Sequence, residues 1–341
     1  MPNPFQQRTI AFQRNERNVF FHILTACNLS CRHCYINPEQ HGTGTLPEET
    51  IFAWLNLFAA PDKKSNLILL GGEPTLHPAL PNAIKKARDL GYQSITVDTN
   101  GYLHNNLLHK ISPADAVLSF SLDGPSPEIN DPLRGQGVFA ACTENLAKAV
   151  SMGFEVSVIY TVSALNIEHL AAMPRLLTDL GVNHFFIQVI GLRGKSAAPS
   201  DNFSQTLQIS HDQWLNTVPK VALDAAELGL HVIFPKVFLG PDEPFECAGL
   251  VAENFFIFPN GRVYCCPLCE DYPIHSYQIE NNALILRSGL IEKNFFPIAI
   301  PEGCIMNKLL QPGSLNYQEN GKPCHLISCC LLKQEMTRIE K

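Results

Sequence analysis

Cys27, Cys31 and Cys34 lie on one short stretch, Thr25-Ala-Cys-Asn-Leu-Ser-Cys-Arg-His-Cys-Tyr35, with the spacing C-x3-C-x2-C. They directly follow the apolar run Val19-Phe-Phe-His-Ile-Leu24. Three thiolates so placed hold three irons of a cubane cluster and leave the fourth iron open for chemistry, because full cubane ligation takes four thiolates. No fourth cysteine follows until Cys142. The competing chemistry is zinc. The knuckle Cys31–Cys34 has no second C-x2-C nearby, although His33 and His41 are available as ligands.

These residues need a scaffold, and the totals allow one. The chain has 341 residues, 45% hydrophobic and 17% charged, enough for one large domain and a smaller one. The net charge of -7 and the lack of a basic run argue against nucleic acid as a partner. The start, Met-Pro-Asn-Pro-Phe-Gln-Gln-Arg, has no apolar leader, and no stretch approaches a membrane span, so a cytoplasmic protein is expected. In a reducing compartment, twelve cysteines read as metal ligands before disulfides.

Short apolar runs predict strands at Val19–Thr25, Leu67–Leu70, Ser94–Asp98, Ala116–Ser121, Glu155–Thr161 and His184–Ile190. Helical patterns lie between them. Thr45-Leu-Pro-Glu48 has the form of a capping box opening a helix over Pro47–Ala59. Glycine caps at Gly91, Gly153 and Gly181 end three others. Six β/α units in a row imply a parallel sheet, open or curled toward a barrel. After about Leu230 the rhythm stops and cysteines cluster. Phe255–Tyr264 reads as a hairpin turning at Asn260-Gly261. The expected division is an extension over 1–18, a core over 19–231 and a tail over 232–341.

In such folds the chemistry sits at the carboxyl ends of the strands. The cysteine loop follows the first strand there. Gly71-Gly-Glu-Pro74 follows the second, Thr99-Asn-Gly101 the third, and Ser119-Phe-Ser-Leu-Asp-Gly124 closes the fourth. Gln188 and Gly191-Leu-Arg-Gly194 close the sixth. Gly71-Gly72 would let a ligand approach the backbone. Glu73 would accept from an ammonium, Asp123 from sugar hydroxyls, and Arg134 would hold a carboxylate.

Taken in order, Cys27-x3-Cys31-x2-Cys34, Gly71-Gly-Glu-Pro74, Thr99-Asn-Gly101, Ser121-Leu-Asp-Gly124 and Asp131-Pro-Leu-Arg-Gly-Gln-Gly-Val-Phe139 resemble the radical SAM superfamily over residues 19 to about 194. The resemblance implies a partial (β/α)6 TIM-like barrel with a small cysteine-rich α+β domain behind it. It implies a [4Fe-4S] cluster on Cys27, Cys31 and Cys34, with S-adenosylmethionine on the open iron. Gly72, Glu73, Asn100, Ser121, Asp123, Arg134 and Gln188 would line the cofactor. The methionyl amine would lie along Gly71–Pro74, the ribose near Ser121 and Asp123, and the carboxylate near Arg134. Reductive cleavage would give methionine and a 5′-deoxyadenosyl radical, with a flavodoxin or ferredoxin as electron donor. His33 stands where the family usually has an aromatic residue, and would stack on adenine in its place.

Cys247-x13-Gly261-x4-Cys266 resembles the first half of a SPASM or twitch auxiliary-cluster pattern. Of the second half only Cys324-x5-Cys330 survives, with Gly321 and Gln334 where further cysteines would stand. One auxiliary [4Fe-4S] cluster on Cys247, Cys266, Cys324 and Cys330 is expected. Cys265, Cys269, Cys304 and Cys329 are alternates, and a zinc knuckle on Cys266-x2-Cys269 is the competing reading.

Three functions follow. The first is radical modification of a peptide or protein side chain. The second is the same chemistry on a small cofactor or natural-product precursor. The third is a non-enzymatic iron–sulfur or zinc protein. About eighteen residues precede the first strand, too few for the winged-helix domain of many peptide modifiers. That favours a small substrate, or a peptide delivered by a separate partner.

Overall fold

The computed structural model describes residues 5–197, 207–240 and 242–338. Strands β1 (Phe5–Ile10) to β15 (Lys333–Arg338) are joined in one 13-stranded sheet, apart from the small pair β9 (Phe238–Leu239) and β14 (Leu326–Ile327). The six expected strands are β2 (Glu16–His22), β3 (Lys64–Leu70), β4 (Ser94–Thr99), β5 (Val117–Ser121), β6 (Val156–Val162) and β7 (His184–Val189). They pair in parallel in chain order.

The parallel set is longer than the sequence pattern implied. β8 (His231–Pro235) adds beside β7, and β10 (Glu253–Ile257) adds beside β2. The break expected near residue 232 therefore falls inside a strand of the same sheet. β15 runs antiparallel to β8, and β1 to β15, at one edge. β11 (Arg262–Tyr264), β12 (Tyr277–Glu280) and β13 (Ala283–Leu286) form an antiparallel flap at the other. The hairpin β10–β11 turns at Pro259-Asn260, and Gly261 takes φ +81°, where a Cβ would be strained.

Helices α1 (Pro38–His41), α2 (Glu48–Phe58), α3 (Leu80–Asp89), α4 (Pro127–Arg134), α5 (Val138–Ser151), α6 (Met173–Asp179) and α7 (His211–Glu227) fill most of the crossovers. One unit departs from β/α form: between β4 and β5 there is only the 3₁₀ turn Leu107–His109, after Asn105 and Asn106 at positive φ. The capping box at Thr45 does not form either. α2 starts at Glu48 behind Pro47, with no side-chain cap. Thr45 and Leu46 are drawn instead onto the start of the cysteine loop, where Thr45 bridges Leu24 and Leu46 N–H bonds Ile23 O at 3.0 Å.

Alternation along each strand assigns two faces. Val19, Phe21, Leu67, Leu69, Val97, Phe120, Val158, Phe185 and Ile187 are buried against the helices. Their neighbours face a lumen. At its amino end Asn254, Asn18, Asn66 and Ser94 lie in register across four strands, linked by side-chain hydrogen bonds of 2.9–3.1 Å. Above them Phe20 stacks on Phe256, centroids 4.4 Å apart. The sheet curls: the loop after β7 touches the loop after β2 through Lys195 N–H to Cys34 O at 2.9 Å. Among the described residues no helix is long and apolar enough to cross a membrane.

Candidate active site

Each cysteine of the loop is tied to a different strand end. Cys27 Sγ lies 3.7 Å from Asn100 Nδ2, behind β4, and Asn100 also donates to Asn28 Oδ1 at 2.8 Å. Cys31 Sγ lies 3.8 Å from Arg134 O on α4, and Arg32 N–H bonds Leu133 O at 2.9 Å. Cys34 is held by the loop after β7. Burial pushes the Cys27 thiol up to about 11 and raises Cys31 as well. Such thiols ionise readily only beside a positive centre such as a metal.

The loop fits an iron–sulfur cluster on a second count. Asn28 Nδ2 and His33 Nδ1 are buried on it without a hydrogen-bond partner among the described residues. Buried polar atoms are rarely left so without a ligand or ion to meet them.

Gly72 has a different use from the one expected. A Cβ there would stand 2.2 Å from Ala26 O and 2.4 Å from Thr25 O, so the glycine admits the cysteine loop's own backbone. Gly72 N–H bonds Leu24 O at 3.0 Å, and Glu73 N–H bonds Ala26 O at 2.9 Å. Gly72→Ala is expected to displace the loop, destabilise the fold by about 1–3 kcal/mol, and lower iron content in proportion. Denaturant titration and iron assay check this.

Glu73 is buried, and its carboxylate is occupied from within. Oε1 accepts from Thr75 N (3.1 Å), Thr75 Oγ1 (2.7 Å) and Thr99 Oγ1 (2.8 Å), and Oε2 accepts from Asn100 N (2.7 Å). Its visible work is to orient Asn100 toward the cysteine loop.

Asp123 and Arg134, expected to meet separate parts of a ligand, meet each other at 2.6 Å. Asp123 also accepts from Thr161 N at 2.8 Å and lies 3.0 Å from His33 Nε2. His33, expected to stack, thus points into this group. Burial opposes the Asp123 charge, but Arg134 and His33 overcome it and hold the carboxyl well below the usual range. Ser121 ends β5 half-buried. Gln188 Oε1 folds back onto Val189 N at 3.1 Å.

Because the Asp123 pKa is depressed in the folded state, its contribution to stability is complete above the unfolded value of about 4. It fades only as pH falls toward the lower native value. Asp123→Asn leaves Arg134 buried and uncompensated, which costs about 3–5 kcal/mol. The stability gap between wild type and variant is expected to stay flat from neutral pH to about 4 and to shrink below it. The substitution thus has a price in stability whatever its effect on a ligand.

Reading of the sequence missed a bridge from this loop to the tail. Tyr35 bonds His22 Nε2 at 2.8 Å, and the Arg193 guanidinium lies 5.1 Å from the Tyr35 ring. Arg193 also bonds Pro267 O at 2.8 Å and pairs with the buried Glu270. Asp271 accepts from Gly194 N and Asn37 Nδ2. Arg193 sits in the Gly191–Gly194 segment, but its partner 77 residues on carried no motif.

In the tail, six cysteines lie in one region, although among the described residues no three of them are set at metal-binding distances. Cys266 and Cys269 share one turn, with Cys269 N–H bonding Cys266 O at 3.1 Å. Cys266 Sγ meets Cys269 and Cys330, and Cys330 meets Cys329. Cys304 N–H bonds Ile327 O at 3.1 Å, just ahead of Cys329, and Cys247 neighbours both Cys304 and Cys329. Cys324, an expected ligand, is exposed on an outer turn, its N–H bonding Asn316 O at 2.8 Å. Cys265 points the other way, toward Lys293 and Ser276. The buried Glu292 accepts from the N–H groups of Cys265 (2.6 Å) and Cys266 (3.0 Å) and from Ser276, pinning the hairpin end; burial pushes its carboxyl up to about 7. Cys330 leads into β15 and Cys266 follows β11, so these thiols connect strands from opposite halves of the sheet order.

A profile of the radical SAM superfamily matches residues 22–177, the span from β2 through most of α6. These residues carry a radical SAM domain. Its curated relatives include the probable GTP 3′,8-cyclase of Saccharolobus solfataricus, 29% identical over 167 residues, 48% of this chain and 53% of that one. The chain thus spans about half the length of that relative. Among solved structures, Streptococcus suis SuiB bound to precursor peptide SuiA superposes with TM-score 0.59 at 14% identity, over 76% of this chain and 60% of that one. Native anSMEcpe with bound AdoMet and Kp18Cys peptide gives TM-score 0.56 at 13% identity, over 78% and 77%. These two likenesses bear out the expected partial barrel.

Proposed function

We propose that this protein cleaves S-adenosylmethionine reductively and uses the resulting radical on a substrate held in the lumen, beneath the cysteine-rich tail. The observation that carries this is the convergence of Cys27, Cys31 and Cys34 on the loop after β4, the end of α4 and the loop after β7, with unpartnered polar atoms on the cysteine loop itself. Those cysteines would hold the [4Fe-4S] cluster. Bound there with S-adenosylmethionine and reduced by an external one-electron donor, such a cluster would supply the electron that breaks the sulfonium bond, giving methionine and a 5′-deoxyadenosyl radical.

The chain's own groups do the rest. Asn100 and Gly72 set the loop, and Asp123, Arg134 and Ser121 border the cofactor from the β5 side. The curled sheet and the tail keep water from the lumen, which protects a reactive species from side reactions. Cys266 and Cys330 are in contact and Cys247 lies toward Cys304 and Cys329, and on this gathering we place one auxiliary cluster, with Cys247, Cys266 and Cys330 as ligands. We place Cys304, adjacent to both Cys247 and Cys330, in the fourth position in preference to Cys324. Residues from about 236 onward, except β10 and β15, are read as the auxiliary unit.

For the substrate, a peptide or protein side chain is the first reading. Two neighbours crystallised with peptides match over about three quarters of this chain, whereas the cyclase likeness covers about half. The cyclase likeness supports the second reading, a small molecule.

The test is anaerobic reconstitution with iron and sulfide, reduction, and assay of 5′-deoxyadenosine. Release that depends on both reductant and cluster is expected. A fully loaded, reduced protein that leaves S-adenosylmethionine intact would overturn the reading.

A further inference from the structure

Side-chain amides at the carboxyl end of this sheet are generally engaged. Asn145 donates to Gly101 O and Tyr102 O, and Asn166 to Asp123 O and Thr161 O. Gln208, Asn307 and Gln311 are not. Among the described residues none of their side chains makes a hydrogen bond, although Gln311 is only 7% exposed and Asn307 Oδ1 is buried. All three line one cavity of about 60 Å3.

Two parts of the chain bring them there. Asn307 and Gln311 stand about one turn apart, on the helix Ile305–Leu310 and its carboxyl-terminal cap, joined by Gln311 N–H to Asn307 O at 2.8 Å. Gln208 comes from the segment that leads into α7. The other walls are largely apolar: Val189 and Ile190 at the end of β7, Trp214 of α7, and the paired Phe238 and Ile327 of β9 and β14. Val189 continues the alternation of Phe185 and Ile187, which pack on the helices. The cavity therefore lies on the outer face of the sheet, apart from the lumen.

A buried amide without a partner is costly, and folded proteins keep few of them. Small-ligand sites are built in this way, as an apolar cavity with a few convergent polar groups. The volume is several times the roughly 10–15 Å3 that one water needs. Among the described residues no charged side chain lines the cavity, so an ionic group would enter uncompensated. Each carboxamide offers both a donor and an acceptor. Its complement is another amide, with one N–H and one C=O.

We propose that this cavity, between β7, α7 and the tail, is a second ligand site, which takes a neutral amide carried on an apolar body. The amide belongs to a polypeptide chain or to the ring lactam of a heterocycle. The site does not depend on the reaction proposed for the lumen.

The test is saturation-transfer difference NMR on the full, cluster-loaded chain. N-methylacetamide is the open-chain probe, 2-pyridone the ring lactam and benzene the comparator without an amide. Saturable, millimolar binding of at least one amide is expected. Asn307→Leu and Gln311→Met keep the side-chain shape closely and remove the amide. Each should weaken binding about tenfold, the worth of one well-formed hydrogen bond. Neither should lower the thermal midpoint of the ligand-free protein, since the amide removed has no partner there. The tighter probe tells peptide from heterocycle. Absence of saturable binding overturns the site, as does binding that both variants leave unchanged, or benzene bound as tightly as the amides. A lowered midpoint in both ligand-free variants assigns the amides to the fold and also overturns it.

Discussion

Replacing Cys27, Cys31 and Cys34 together by alanine is expected to reduce 5′-deoxyadenosine release to background while the tail keeps its iron. The loop is held by backbone bonds that do not involve the thiols: Gly72 N–H to Leu24 O, Arg32 N–H to Leu133 O and Lys195 N–H to Cys34 O. The scaffold should therefore survive the loss of three sulfur atoms. What disappears is the ligation itself, since thiolates are what hold such clusters. Iron and sulfide counts on the triple variant, beside far-UV circular dichroism, separate loss of the cluster from loss of fold. Undiminished release of 5′-deoxyadenosine would sink the assignment of the loop.

The second large effect is expected in the tail, as a contrast between two cysteines. Cys330→Ser should lose the auxiliary iron, and Cys324→Ser should retain it. Cys330 neighbours Cys266, Cys329 and Cys304, and so joins the two halves of the thiol group. Cys324 is exposed on a turn apart from them. Iron content and electron paramagnetic resonance of the reduced variants, each made in the background lacking the loop cysteines, give the answer. Equal loss in both would return Cys324 to the ligand set. If the auxiliary cluster carries electrons, Cys247→Ser should suppress product formation more than S-adenosylmethionine cleavage.

The elements that could be read from sequence share a physical trait: each rests on neighbours within a few residues. The apolar runs of β2 to β7 are strands because a strand buried on one side by helices needs apolar side chains there. Gly91, Gly153 and Gly181 take positive φ behind their helices because only glycine does so without cost. Thr45 shows the limit. Its local pattern favours a cap, but pairing of Thr45 and Leu46 with the cysteine loop outcompetes it. β8 and β10 show another. Their runs are apolar enough for strands, yet nothing local says that they join the barrel sheet and not a separate tail.

By itself, then, the sequence determined the β/α order, the loop with three cysteines, and the placement of reactive residues at one end of the strands. Strand polarity and alternation follow from steric rules that act along the chain. The tertiary structure alone decided which of those residues face each other. It turned Glu73 inward to Thr75, Thr99 and Asn100, and joined Asp123 to Arg134 and His33. It bridged Tyr35 to Glu270 through Arg193, put Cys304 among the tail thiols and left Cys324 outside. It also set Lys333, three residues beyond Cys330, against Phe186 of β7. Most of these contacts join residues far apart in the chain, and they exist because the curled sheet brings the loop after β7 and the tail up to the cysteine loop. Curvature accumulates over the whole sheet, strand by strand, and no short window of sequence contains it.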